Sequence, residues 1–354
     1  MTCGSVSRVI SPLFVIIIPV HGEKLLYIEG CLRSILEQTY THWQCTIVNT
    51  LPQNDISPIV PLDPRFRVLD YMDAPPGKAR NYGLSSISRA DYVMFQDADD
   101  ILDSHALENA ASNLETCFSP SFIAFGSSNK AELLGTARDD EFKHLCGEDM
   151  RKTVFPAYYG VPSQTSLNLN TLPGILWSFD VIQKNGLCFD ESLFFGEDVL
   201  FCTRFYLVGE SGLLLEQYIG HRVVEHSDSL TKTRKLDPDQ FECMQLALCL
   251  SFELAPVSEQ PFFRSAYPFV FLNLLFNIAQ RFDFSFVETV HYLRHVRSNK
   301  PLMQFVFCDA ARNPGLKKKI FFFLFRIKAI SIIAFFFQLR LREISKSCRV
   351  SKGA

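Results

Sequence analysis

Leu13-Phe14-Val15-Ile16-Ile17-Ile18-Pro19 is an unbroken apolar run, four of its residues β-branched, closed by a proline that cannot continue a strand ladder. A strand with no polar face is one buried on both sides, as in a parallel sheet covered by helices. Working outward, Tyr27 to Gln38 places Ile28, Leu32, Ile35 and Leu36 three and four residues apart, the spacing of one helical face. Thr46-Ile47-Val48 and Phe66-Arg67-Val68-Leu69 read as a second and third strand. Ala79 to Ser88 reads as a helix after the Pro75-Pro76-Gly77 turn, and Tyr92-Val93-Met94-Phe95 as a further strand. This alternation predicts right-handed βαβ units in an α/β fold with an open, mostly parallel sheet flanked by helices. Ligands of such sheets bind beyond the carboxyl ends of the strands. Pro19-Val20-His21-Gly22 and Asp97-Ala98-Asp99-Asp100 fall at such ends.

Residues 119–175 are rich in Ser, Gly, Asn and Pro and read as loops and edge strands, and a periodic pattern resumes from Leu176 to Gly209. Past Asp237-Pro238-Asp239 the segments Phe241–Leu254, Phe262–Phe282 and Phe286–Arg297 read as helices. The expected organisation is a domain over 1–235, a helical domain over 236–311 and a basic, Phe-rich tail over 312–354. With 354 residues, 47% hydrophobic and 21% charged, the chain can bury a large core, and a net charge of −3 gives no case for nucleic acid. The charge is uneven: the tail holds 11 Lys or Arg against Glu343 alone, leaving 24 basic and 37 acidic residues before it. Lys317-Lys318-Lys319 precedes an apolar run that Arg326 and Lys328 interrupt. Each such cation would cost roughly 2.5–3.5 kcal/mol at the centre of a bilayer, so a tail lying on an anionic membrane surface is expected rather than a span. Packing of the tail on the other C-terminal helices is the alternative. The 11 cysteines lack paired spacing and read as reduced, buried thiols of a cytosolic protein, and no signal peptide is read at the N-terminus. Localisation is therefore expected to be cytoplasmic, peripheral to the membrane.

Two clusters carry chemistry. Three carboxylates within Asp97-Ala98-Asp99-Asp100 repel one another and are stabilised if a hard divalent cation, Mg²⁺ or Mn²⁺, sits between them. The bland alternative is an acidic cap on a helix starting at Ile101. Glu197-Asp198 follows Gly196 and precedes an apolar helix; it can be a cap, or in a cleft beside a metal it can supply a general base.

The order of the parts resembles the inverting glycosyltransferases of family 2, which have the GT-A fold. The residues that carry the likeness run in sequence. They are Ile18-Pro19-Val20-His21, then Cys31-Leu32-Arg33-Ser34-Ile35-Leu36-Glu37-Gln38-Thr39, then Gly77-Lys78-Ala79-Arg80-Asn81-Tyr82-Gly83. Phe95-Gln96-Asp97-Ala98-Asp99-Asp100 comes next, and Phe189-Asp190-Glu191 with Gly196-Glu197-Asp198 last. The likeness covers roughly residues 13–232. It implies a nucleotide-diphosphate sugar as donor, on family grounds a uridine one, and a glycan or lipid-linked hydroxyl as acceptor, as in bacterial surface-polysaccharide synthesis. It also implies roles. Asp99 would be the main metal ligand and Asp97 would meet the ribose or the metal. Asp198, beside Glu197, would be the catalytic base. Pro19, His21 and Arg80 would line the nucleotide pocket, and His226 would reach the diphosphate or metal. Two departures stand out. Asn49-Thr50-Leu51-Pro52 replaces Asp-Asp-Gly-Ser, whose aspartate reads the base, and His21-Gly22 replaces Tyr-Asn. Asn49 can still hydrogen-bond a pyrimidine edge but offers a donor as well as acceptors. A metal-dependent phosphohydrolase lacks a matching ligand set in this sequence. An inactive relative serving as a scaffold is favoured only by the Asn49 segment.

Overall fold

In a computed structural model of the chain, the described residues are 11–114, 119–136, 142–158, 165–167, 169, 171–193, 196–224, 285–298 and 329–335. The chain divides into two compact units, Met1–Ser229 and Leu230–Ala354. The first begins with β1 (Phe14–Val20), a 3-10 turn (Gly22–Leu26), α1 (Ile28–Leu36), β2 (Trp43–Asn49) and β3 (Phe66–Asp70). It continues through α2 (Pro76–Ser85), β4 (Tyr92–Phe95), β5 (Ile101–Leu102), α3 (Ala106–Leu114), β6 (Phe122–Ser128) and β7 (Lys143–Cys146). It ends with α4 (Gly147–Tyr158), β8 (Ile175–Ser178), α5 (Phe179–Lys184), α6 (Glu197–Val208) and β9 (Ser211–Arg222). In the second unit, α7 (Phe286–Ser298) matches the helix read over Phe286–Arg297.

The strands form one sheet in the order β3-β2-β1-β4-β8-β6-β9-β5, with β7 beside β9. β3, β2, β1 and β4 are mutually parallel, and β6 and β9 share their direction; β5, β7 and β8 oppose them. Every residue of β1 is buried, as its all-apolar run requires. One face is covered by Ile28, Cys31, Leu32 and Ile35 of α1, which pack with Phe14, Ile16 and Ile18. The other face meets an aromatic cluster in which Phe189 stacks on Phe201 at 4.4 Å and Phe95 stands edge-on to both.

The strands and helices expected up to Phe95 are all present. α2 begins at Pro76, three residues early, because a proline at the first helical position loses no needed hydrogen bond. Three readings are corrected. The 119–175 region is more than loops and edges: β6 lies inside the sheet between β8 and β9, with five buried residues, and α4 follows β7. Ile101 starts no helix; Ile101 and Leu102 pair with Arg222 and His221 as β5, and α3 begins at Ala106, so the acidic run is not a helix cap. Among the described cysteines Cys31, Cys45 and Cys202 are buried thiols, whereas Cys146 and Cys188 are exposed, against the expectation that all are buried. The expected helices over 241–254 and 262–282 lie outside the described residues, as does most of the tail. Within 329–335, Ile330, Ile333 and Ala334 are buried while Ile332 and Phe335 are exposed. Among the described residues no helix is long and apolar enough to cross a membrane.

Candidate functional site

Parallel strands bring their carboxyl ends to one edge. Val20 of β1 lies opposite Asn49 of β2, and Asn49 opposite Asp70 of β3, while Ile17 of β1 pairs with Phe95 of β4 just before the acidic run. Pro19, His21, Asn49, Asp97 and Asp99 therefore share one rim. The Leu32–Thr39 motif pins the segment behind the acids. Ser34 Oγ accepts the Leu102 N–H at 3.1 Å, Gln38 Nε2 donates to Asp103 O at 2.6 Å, and Gln38 Oε1 accepts the Leu107 N–H at 3.1 Å.

The carboxylates of Asp97, Asp99 and Asp100 each place an oxygen within 4.8 Å of the others. Each also has a cationic or N–H partner from the chain. Arg80 Nη2 lies 3.3 Å from Asp97 Oδ1, and Lys24 Nζ donates to Asp99 Oδ1 at 2.6 Å. Asp100 accepts the Val224 N–H at 3.0 Å and sits 3.3 Å from His221 Nε2. Burial would raise the Asp97 carboxyl, but Lys24 and Arg80 outweigh it and hold it below the ordinary carboxylate range. Burial raises the Asp100 carboxyl, which is only 4% exposed. Burial would lower the Lys24 ammonium, but Asp97, Asp99 and Asp100 overcome it and its pKa is raised. The donor set suits a hard divalent ion, because Asp97 and Asp99 each engage one oxygen with a protein cation and keep Oδ2 as a possible ligand. Asp100 instead accepts the Val224 N–H just past β9 and lies against His221 of β9.

Arg80 joins the two acidic motifs. From α2 it also donates to Glu197 Oε1 at 2.8 Å, with side chains only 9% and 10% exposed, and its guanidinium lies over Phe189. Gly77 allows this approach: a Cβ there would lie 3.0 Å from Glu197 Cγ. The neighbouring Asn81 clamps Phe189, accepting its N–H at 2.8 Å and donating to its carbonyl at 3.0 Å. Glu197, read from sequence with Asp198 as catalytic, is thus engaged by Arg80. Asp198, the next residue of α6, is half-buried and accepts the Val199 N–H at 2.8 Å. Burial first, and the adjacent Glu197 carboxylate second, push its pKa up to about 6. The helix is entered through Gly196 at φ 84°, a left-handed conformation that penalises a side chain by about 1 kcal/mol. Gly196→Ala is expected to lower stability by about that amount, read as a lower urea midpoint at unchanged slope.

Asn49, 2% exposed, is committed at both ends: Oδ1 accepts the Leu51 N–H and Nδ2 donates to Asp70 Oδ1, both at 3.1 Å. His226 lies outside the described residues. The sequence reading missed Lys24, Asp70 and His221. No motif marks them; only the fold brings Lys24 to Asp99, His221 to Asp100 and Asp70 to Asn49.

Comparison with known proteins bears on the fold. Residues 15–144 match the family described as "Glycosyl transferase family 2". No curated protein matches the chain in sequence. Among solved structures, S. aureus TarS 1-349 in complex with UDP-GlcNAc is 17% identical, with a TM-score of 0.62, covering 90% of this chain and 88% of that one. TarS 1-349 in complex with UDP gives the same values. The mannosyltransferase PcManGT from Pyrobaculum calidifontis, in complex with GDP-Man and Mn²⁺, is 14% identical with a TM-score of 0.50, covering 92% and 86%. The family resemblance and the GT-A type of fold read from the sequence both hold.

Proposed function

We propose that the chain transfers a sugar from a nucleotide-diphosphate donor to an acceptor hydroxyl with inversion at the anomeric carbon. The observation that carries this reading is the Asp97–Arg80–Glu197 bridge, which ties the acidic rim to the helix bearing Asp198. Asp198 accepts the proton of the incoming hydroxyl as the new C–O bond forms and the bond to the diphosphate breaks. One base and one displacement invert the centre, and no sugar–enzyme bond forms. With a pKa near 6, Asp198 is ionised at neutral pH yet basic enough to share that proton. Glu197 and Arg80 position it. A divalent ion, Mn²⁺ or Mg²⁺, held by Asp97 and Asp99 would supply positive charge to the leaving diphosphate. The nucleotide lies along Pro19, His21 and Asn49, with the Asp70 carboxylate beside Asn49 as a further acceptor for a base N–H. UDP bound to TarS and GDP-Man bound to PcManGT support a donor of this class. The acceptor is a glycan or a lipid-linked glycan, and the basic tail holds the enzyme at the membrane surface where such acceptors lie.

The test is a calorimetric titration with UDP, GDP and dTDP, each with and without Mn²⁺, repeated on Asp99→Ala. The expected outcome is Mn²⁺-dependent binding of UDP, weakened at least about a hundredfold by Asp99→Ala, about the loss of one ionic metal ligand in a partly desolvated site. Folded protein that binds none of the three would overturn the reading.

A further inference from the structure

Three side chains face the acidic rim, two of them cations, and they are held differently. Arg80 is locked by Glu197 and lies over Phe189. His221, fully buried, also contacts Ser127 Oγ at 3.2 Å. Among the described residues Lys24 Nζ has one hydrogen-bond partner, Asp99 Oδ1 at 2.6 Å, and its side chain is 20% exposed. It stands on the 3-10 turn three residues beyond His21, at the end of β1 where the donor is expected. A lysine head is a compact point charge on a four-carbon stem, able to exchange one oxygen partner for another without backbone movement.

We propose that Lys24 is a tethered counter-ion: it occupies Asp99 against a divalent cation before the donor arrives, and crosses to the donor's diphosphate when nucleotide and metal bind together. The inference rests on the donor-site reading above. A divalent ion arriving alone meets an ammonium already bonded to its main ligand, and the two repel at a few ångströms. A diphosphate arriving with the ion brings negative charge that takes the ammonium instead. Metal and nucleotide then bind with positive coupling, and by linkage each strengthens the other equally.

The test measures free Mn²⁺ by electron paramagnetic resonance during titration of wild type, Lys24→Met and Lys24→Gln, with and without UDP, with thermal melts to verify folding. Either variant that folds suffices. Wild type is expected to bind Mn²⁺ at least about tenfold tighter with UDP than without. Removing the ammonium is expected to tighten binding of Mn²⁺ alone by about tenfold, and to weaken UDP binding at saturating Mn²⁺ by a similar factor. Unchanged or weaker Mn²⁺ binding in the variants, with Mn²⁺–UDP binding intact in wild type, overturns the role of Lys24 and leaves the donor site standing. Absence of Mn²⁺–UDP binding in wild type overturns both.

Discussion

Asp198→Asn is expected to lower sugar transfer by about a hundred- to ten-thousandfold, the range for loss of a general base. The variant keeps the size of the side chain, and its carbonyl oxygen can still accept the Val199 N–H, so the start of α6 is preserved. Nothing else in the described site replaces the base, since Glu197 is engaged by Arg80 at 2.8 Å. The wild-type rate should fall as pH drops through about 6, where Asp198 takes up its proton, and the residual rate of Asp198→Asn should lack that limb. Stability runs the other way. The folded pKa lies above the unfolded one, so the folded state binds this proton more tightly. The charge on Asp198 therefore costs stability as pH rises from about 4 to about 6, and the cost persists at neutral pH. Asp198→Asn should consequently melt higher than wild type at pH 7 while transferring almost nothing. A variant that is inactive because it is damaged would melt lower.

Arg80→Ala is expected to remove about 3–5 kcal/mol of stability, the cost of leaving a buried carboxylate without its partner. Glu197 has a side chain 10% exposed and loses its only short cationic contact among the described residues; Asp97, 34% exposed, keeps Lys24 nearby. Part of the loss is packing, because the guanidinium lies over Phe189. Arg80→Lys restores one charge but cannot reach Asp97 and Glu197 together, and should recover only part of the loss. Urea unfolding gives the magnitude. A second readout separates positioning from bulk stability. Arg80 draws the Asp198 pKa down, so in Arg80→Lys the acid limb of the rate profile should move above about 6 if the lysine sits farther from Asp198.

How much of this was legible depended on whether the cause was local. β1 was legible because six apolar residues in a row admit few other environments. β6 was not. Phe122-Ile123-Ala124-Phe125 is a short apolar run flanked by Ser, Pro and Gly, and only its place between β8 and β9 makes it central. Asp100-Ile101-Leu102 has the look of a capped helix start, yet pairing with Arg222 and His221 imposes a strand. At the site, motifs drew attention to Asp97, Asp99, Arg80 and Asp198 because each stands in a fixed pattern within one segment. Lys24 escaped because its partner lies 75 residues away, and no periodicity in Gly22–Leu26 marks it. Within Glu197-Asp198 the family resemblance already set Asp198 apart; what needed the fold is that Arg80 binds Glu197, across 117 residues of sequence.

The most direct measurement is an anomalous difference map from a crystal grown with Mn²⁺ and UDP. The account expects one strong manganese peak against the carboxylates of Asp97 and Asp99, a diphosphate on its far side, and the Asp198 carboxylate facing the position the sugar would take. A peak elsewhere, or a nucleotide seated away from these residues, would contradict it.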